Sequence, residues 1–400
     1  MKYYKMTYKI YFLAIAFISI LSFSSCSKDD KAKLNTNYDK SDLIQSVNKE
    51  VSRGLLAVNP VVGKNANNLP LNDIDIYKII YTTKNYDGKD VKVSGALLVP
   101  KTNLPLTLIS YQHGTIWKES DTPSEYDTGK EIKMLATPLA SMGFAVAVPD
   151  YIGYGASLDH MHPYEHAQTL AQTSYDMIEA SRDFLKDKKV LLNNKLILTG
   201  YSEGGSATMA LHKYMEENTN DPITLSIPAS GAYNKTASNI AFAQEQKQSL
   251  MTKYFLWIVN GYNQIYNLNI SWSELLNTPS DKLMADLRSN LDIETLNVPM
   301  EPSKLLTPTF SEALITGNNK AIADAVKDND RWEWTPKQPM MIFYSSTDNI
   351  VNPINASTAI QHMQSNHAPV QAIKVDGFDH FQAFGAYMAT LLKVLPNYQK

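Results

Sequence analysis

Ser202 lies inside Gly200-Tyr201-Ser202-Glu203-Gly204, directly after the apolar run Leu196-Ile197-Leu198-Thr199. A strand that runs into a Gly-x-Ser-x-Gly pattern must turn sharply before a helix can start, and the turn lifts the serine hydroxyl above the end of a sheet. Gly200 and Gly204 flank the serine because backbone segments at such a turn come too close for side chains. Ala207, Ala210, Leu211 and Tyr214 then recur at helical spacing, so the next helix can bury one face on the sheet. The five-residue pattern alone is common. Its weight comes from the buried-type strand before it and the amphipathic helix after it.

The remaining periodicities extend this unit into a fold. Ile76 to Thr83 and Val91 to Pro100 read as an antiparallel hairpin at a sheet edge, with Tyr86-Asp87-Gly88 as the turn. Leu106 to Tyr111 and Phe144 to Val148 are continuous apolar runs that suit central strands covered on both faces. Leu135 to Met142 reads as a crossover helix and Ala167 to Leu185 as a second helix. Further strands are expected at Ile223 to Ile227, Met340 to Tyr344 and Val370 to Val375. Alternating strands and helices of this kind predict an α/β fold with a mostly parallel sheet flanked by helices. Residues 235–335 break the alternation with Tyr254 to Val259, Tyr262, Tyr266 and Trp272 in short helical patterns. They are expected to form a helical cap inserted into a core made of residues 42–234 and 336–400.

The first residues belong to a different physical regime. Lys2, Lys5 and Lys9 precede a nearly unbroken apolar run from Ile10 to Phe23, which reads as a signal peptide over residues 1–25. That run is shorter than the roughly 20 residues a spanning helix needs. Cys26 follows Ser24 and Ser25 and is the only cysteine of the chain, so no internal disulfide can form. Removing residues 1–25 takes away three lysines and no acid, moving the formal charge from −3 to −6. That balance gives no electrostatic reason to expect nucleic-acid binding. Residues 26–41 are mostly polar and charged and read as a tether.

A serine hydroxyl needs a base within hydrogen-bond reach, and the base needs a carboxylate to set its tautomer. The chain offers them in the order serine, acid, histidine. Asp348 follows the strand ending at Tyr344, and His380 follows the strand ending at Val375. All three candidates therefore fall at carboxyl ends of strands. Asp379 adjoins His380, but chain neighbours rarely point at one another, so Asp348 is preferred. His160, His162 and His166 cluster in sequence without the companion pattern of a metal site. No metal and no organic cofactor is expected. A tetrahedral intermediate carries negative charge on oxygen, which backbone N–H groups must already face. One donor should be the N–H of Glu203; the other should come from Tyr111-Gln112-His113-Gly114-Thr115, with Thr115 favoured and Gly114 next.

With these residues in view, the chain resembles the α/β-hydrolase superfamily, and within it the secretory lipase and esterase family with a helical cap. The resemblance covers about residues 75–395 and rests on Gln112-His113-Gly114-Thr115, Pro149-Asp150-Tyr151-Ile152-Gly153-Tyr154-Gly155, Gly200 to Gly205, and the surroundings of Asp348 and His380. It implies carboxyl ester hydrolysis through Ser202, with the Asp-Tyr-x-Gly-x-Gly stretch shaping the loop beside the oxyanion hole. Fungal members of the family carry disulfides, which this chain cannot. Expected substrates are small-molecule, lipid or glycan esters. Aryl, feruloyl or acetyl ester cleavage on glycans, peptide cleavage, and binding without catalysis are the alternatives. The start of the chain resembles a bacterial lipoprotein signal, with Phe23 where leucine is usual, and Ser27-Lys28-Asp29-Asp30 resembles the export tags of surface lipoproteins in Bacteroidetes-type bacteria. This resemblance implies lipidation of Cys26 and anchoring to the bacterial outer membrane.

Overall fold

The computed structural model of the protein describes residues 38–58, 63–127, 129–278 and 297–399. Residues 1–25, expected to be a signal peptide, and Cys26 lie outside the described residues. Nine strands form one sheet: β1 (Tyr38–Val47), β2 (Ile74–Lys84), β3 (Asp90–Pro100), β4 (Leu106–Gln112), β5 (Phe144–Pro149), β6 (Leu192–Tyr201), β7 (Leu225–Ala229), β8 (Met340–Ser345) and β9 (Val370–Val375). Their order is β1-β2-β3-β5-β4-β6-β7-β8-β9. Pairing is antiparallel from β1 through β3 to β5 and parallel from β5 across to β9. β4 and β5 are buried along their whole length, as strands covered on both faces must be.

Helices cover both faces. On one side, α1 (Lys49–Ala57), α2 (Thr137–Ser141) and α12 (His380–Val394) pack Leu56, Leu139, Tyr387 and Leu391 on Ile109, Val146 and Ile197. On the other, α3 (Ala167–Asp187) and α4 (Glu203–Asn218) pack Met177, Phe184 and Leu211 on Leu97, Leu108 and Leu198. Beside them, α11 (Ile354–Ser365) packs Ala359 and Met363 on Met340 and Ile342. The fold expected from the alternation is the fold present.

The insertion between β7 and β8 contains α5 (Lys235–Ala243), α6 (Met251–Ile265), α7 (Trp272–Leu275), α8 (Pro302–Leu305), α9 (Pro308–Thr316) and α10 (Lys320–Asp328) among the described residues. Phe242, Phe255, Trp257 and Phe310 give it an aromatic core of its own. Tyr151, Tyr154 and Tyr164, which follow β5, enter that same cluster. The insertion is thus welded to the loops at the carboxyl ends of the strands.

Several local expectations need correction. Tyr38 to Ser41, placed in the tether by their polarity, open β1 instead. This strand is nearly all exposed, buries only Val47 and is held by backbone pairing to β2, which leaves no mark on an apolar pattern. The β2–β3 hairpin is consequently one strand in from the edge. The crossover helix begins with a π-helical turn at Ile132–Ala136, ahead of Leu135, and β7 runs two residues later than its apolar run suggests.

Candidate active site

Four neighbouring parallel strands, β6 to β9, deliver their carboxyl ends to one place. Ser202 follows β6 with φ 59° and ψ −122°, a conformation rare for a residue with a side chain. Its N–H donates to the Ala229 carbonyl at the end of β7, 2.9 Å away, which helps hold the strained turn. A side chain at Gly204 would run into the Gln112 backbone at the end of β4, so glycine is required there. Gly200 is equally confined, between Gln112 and Gly204.

The Ser202 hydroxyl lies 2.9 Å from His380 Nε2, and His380 Nδ1 lies 2.7 Å from Asp348 Oδ2. The carboxylate sets the tautomer: Nδ1–H donates to Asp348, and Nε2 is left to accept from serine. Both the His380 and Asp348 side chains are buried. The other oxygen of Asp348 accepts the N–H groups of Ile350 at 3.0 Å and Val351 at 2.9 Å, which orients the carboxylate. The His380 backbone is pinned at both ends: its N–H donates to Asn349 Oδ1 at 3.2 Å and its carbonyl accepts the Tyr201 hydroxyl at 2.6 Å. Ser345 and Thr347 donate to the Phe378 carbonyl, tying the acid's loop to the histidine's loop. Asp379 has a different task. It caps α12, accepting the Gln382 N–H at 2.8 Å.

The loop after β4 closes the site. A Cβ built on Gly114 would stand 3.8 Å from the Ser202 Cβ. Gly114 N–H donates to Glu131 Oε1 at 3.0 Å, and the Tyr111 hydroxyl donates to the same oxygen. Gly114 is therefore corrected as a candidate oxyanion donor: its hydrogen is already committed. Nothing in the sequence marks Glu131, since a carboxylate before a helix carries no pattern that points at a loop seventeen residues upstream. Glu203 is the first residue of α4, and a first-turn N–H has no intrahelical partner.

Three tyrosines hold the 113–116 loop. Tyr151 hydroxyl donates to the His113 carbonyl at 3.2 Å, Tyr154 hydroxyl donates to the Ile116 carbonyl at 2.8 Å, and Tyr164 hydroxyl meets Thr115 Oγ1 at 2.9 Å. Beneath them, the fully buried Asp150 accepts from the Ser94 hydroxyl at 2.6 Å and the Ser124 N–H at 2.8 Å. Burial pushes the Asp150 carboxyl up, and those hydrogen bonds work against it. This is where the Asp-Tyr-x-Gly-x-Gly stretch acts.

The other histidines find ordinary partners. The His113 ring packs against Tyr151 at a tilt of 33° and its nitrogens face the Gly114 and Asp150 carbonyls. His162 bonds to Ile152 and Glu203, and His166 to Thr169, with burial pushing His166 down to about 4. Among the described residues, no three His, Cys, Asp or Glu side chains converge as a metal site would require. A cleft of about 430 Å³ runs past Asp348, lined by Asn239, Phe242, Leu250, Met251, Asn349 and Ile350 among others.

A family model described as secretory lipase matches residues 120–384. No curated protein matches the chain. Among solved structures, a Legionella pneumophila protein is similar at 22% identity and a TM-score of 0.81, covering 90% of this chain and 98% of its own. The rice cell wall degrading esterase LipA from Xanthomonas oryzae is similar at 21% identity and a TM-score of 0.78, over 91% and 99%. Candida antarctica lipase A is more distant, at 18% identity and a TM-score of 0.59, over 85% and 77%. At these identities the likeness to solved structures is one of fold.

Proposed function

The chain belongs to the secretory lipase family and is a carboxylic ester hydrolase; from that premise we propose that it works through an acyl-enzyme on Ser202. The observation that carries this reading is the unbroken chain of contacts from Ser202 through His380 to Asp348, at 2.9 and 2.7 Å. Ser202 Oγ attacks the ester carbonyl carbon while His380 Nε2 takes its proton. Asp348 stabilises the imidazolium. The oxyanion is received by the N–H groups of Glu203 and Thr115. The carbonyl re-forms, and the bond to the alcohol oxygen breaks as His380 returns the proton to it. Water, deprotonated by His380, then attacks the acyl carbonyl; the bond to Ser202 Oγ breaks as His380 returns the proton to that oxygen, and the acid leaves.

The cleft beside Asp348 is lined by neither Ser202 nor His380, so its walls bear on the substrate only as a surface neighbouring the triad. Phe242, Leu250, Met251 and Ile350 offer apolar surface, while Asn239, Gln248, Asn349 and Asn352 offer amides. Those amides support a second reading of the substrate, an ester carried on a glycan. A panel of chromogenic esters graded in acyl length, together with acetylated and feruloylated oligosaccharides, separates the two. The serine mechanism itself is tested by Ser202→Ala. Loss of about 10⁴ to 10⁶ in kcat with an unchanged circular dichroism spectrum is expected. Full activity of that variant, purified free of other esterases, rules the mechanism out.

The protein is exported, as its family is. Among the described residues, no helix is long and apolar enough to cross a membrane. We further propose that Cys26 carries a lipid that holds the enzyme at the outer membrane. Cys26→Ser should then leave the membrane fraction or remain unprocessed; a mature-mass Cys26→Ser protein still in the membrane rules this out.

A further inference from the structure

His162 is fully buried and belongs to none of the steps above. It follows Gly153 closely in space: a Cβ on Gly153 would collide with the His162 backbone. Its Nδ1 lies 2.7 Å from the Ile152 carbonyl, and its Nε2 lies 2.9 Å from Glu203 Oε1. Glu203 is the residue whose N–H faces the oxyanion in the proposed mechanism, and its side chain is buried as completely as the histidine's.

A backbone carbonyl only accepts, so Nδ1 carries a hydrogen. Neutral imidazole then has only a lone pair at Nε2, and a carboxylate oxygen also only accepts. A 2.9 Å contact between them therefore needs one more proton than neutral histidine plus carboxylate possess. One proton shared between the two side chains leaves the pair neutral overall. Among the described residues, no other cation makes an ion pair with Glu203. Lys235, the buried cation of this region, is committed to Glu165 at 2.8 Å and to the Ala232 carbonyl at 2.8 Å. Glu131 also faces the neighbouring loop, but it is partly exposed, so water screens it.

We propose that His162 is a positioning residue for the oxyanion step, cancelling the charge of Glu203 and fixing the backbone of the residue that receives the oxyanion. Without its proton partner, Glu203 would place a second, buried negative charge within one side chain's length of the oxygen that becomes negative. That repulsion grows only as the tetrahedral intermediate forms, so it acts on kcat rather than on substrate binding. The ring is anchored for this task by Tyr154 and by Trp257 of α6, at centroid distances of 4.9 and 5.4 Å.

This inference rests on the serine mechanism, and a double-mutant cycle at pH 8 tests it separately. His162→Gln keeps an amide donor but cannot carry the proton. In the Glu203 enzyme it should lower kcat by about ten- to a hundredfold while KM stays within about threefold. Inhibition by an alkyl boronic acid, whose adduct on Ser202 is anionic, should weaken in parallel with kcat. In a Glu203→Gln background, where there is no charge to cancel, the same His162→Gln change should cost less than about threefold. Folding of His162→Gln only in the Glu203→Gln background also supports the proposal. Equal losses in both backgrounds, or failure to fold in both, would show that the ring merely packs and would overturn it. Activity surviving in Ser202→Ala would sink the underlying mechanism instead, so the two failures are distinguishable.

Discussion

Asp379 touches His380 along the chain, yet its side chain turns the other way, into the first turn of α12. Asp348 comes from another strand and meets the imidazole at 2.7 Å. The two acids therefore differ sharply in expected effect. Asp348→Asn should lower the acylation rate by about 10⁴, because the amide favours the wrong tautomer of His380. Asp379→Asn should stay within about tenfold, since asparagine caps a helix nearly as well as aspartate. Rates at saturating ester, with folding followed by circular dichroism, decide between them. A crippled Asp379→Asn enzyme beside a healthy Asp348→Asn enzyme would reverse the assignment of the acid.

At the scale of elements, the loop after β4 owes its shape to a neighbour rather than to itself. Tyr151, Tyr154 and Tyr164 each hold a different residue of it. Tyr164 also stacks on Trp257 of α6, with ring centroids 4.3 Å apart and planes within 10°. The inserted helices are thereby coupled to the hydroxyl that meets Thr115. Tyr164→Phe removes that hydroxyl and keeps the stacking. The expected result is a fall of about tenfold in kcat/KM, the scale of one lost buried hydrogen bond, with the melting temperature within a few degrees of wild type. An unaltered rate would mean that the Thr115 contact does not shape the oxyanion site.

For the whole molecule, two buried histidines bias stability with pH. Burial pushes His166 down to about 4 and lowers His212 as well, with Glu216 acting in the opposite direction on the latter. The folded state keeps these rings neutral, whereas the unfolded chain protonates them below about pH 6.5. The His166 contribution is therefore complete above pH 6.5 and is lost as pH falls toward 4, and that of His212 is lost in the same direction. For His166 the loss amounts to about 3 kcal/mol across that window. His166 sits at the N-cap of α3, where asparagine serves well, so His166→Asn is the informative variant. Urea unfolding between pH 7 and 4.5 should show a shallower decline for the variant than for wild type. Parallel declines would remove His166 as a source of the acid sensitivity.

Features that depend on local pattern are legible in the chain before it folds. The apolar runs of β4, β5 and β6 declare buried strands, Gly200 and Gly204 declare a turn too tight for side chains, and the chain order of Ser202, Asp348 and His380 declares the triad's candidates. Each of these follows from period, steric size or position after a strand. The remaining features come from contacts between residues far apart in the chain. β1 is held by backbone pairing to β2, so its polar residues look like a tether. Glu131 takes the N–H of Gly114 only because the loop and the π-helical turn meet in space. His162 reads in sequence as one member of a histidine cluster, and only folding sets it against Glu203, a residue read from sequence for its backbone alone. Periodicity reports which face of an element is apolar; it carries no record of which polar group a buried donor will find.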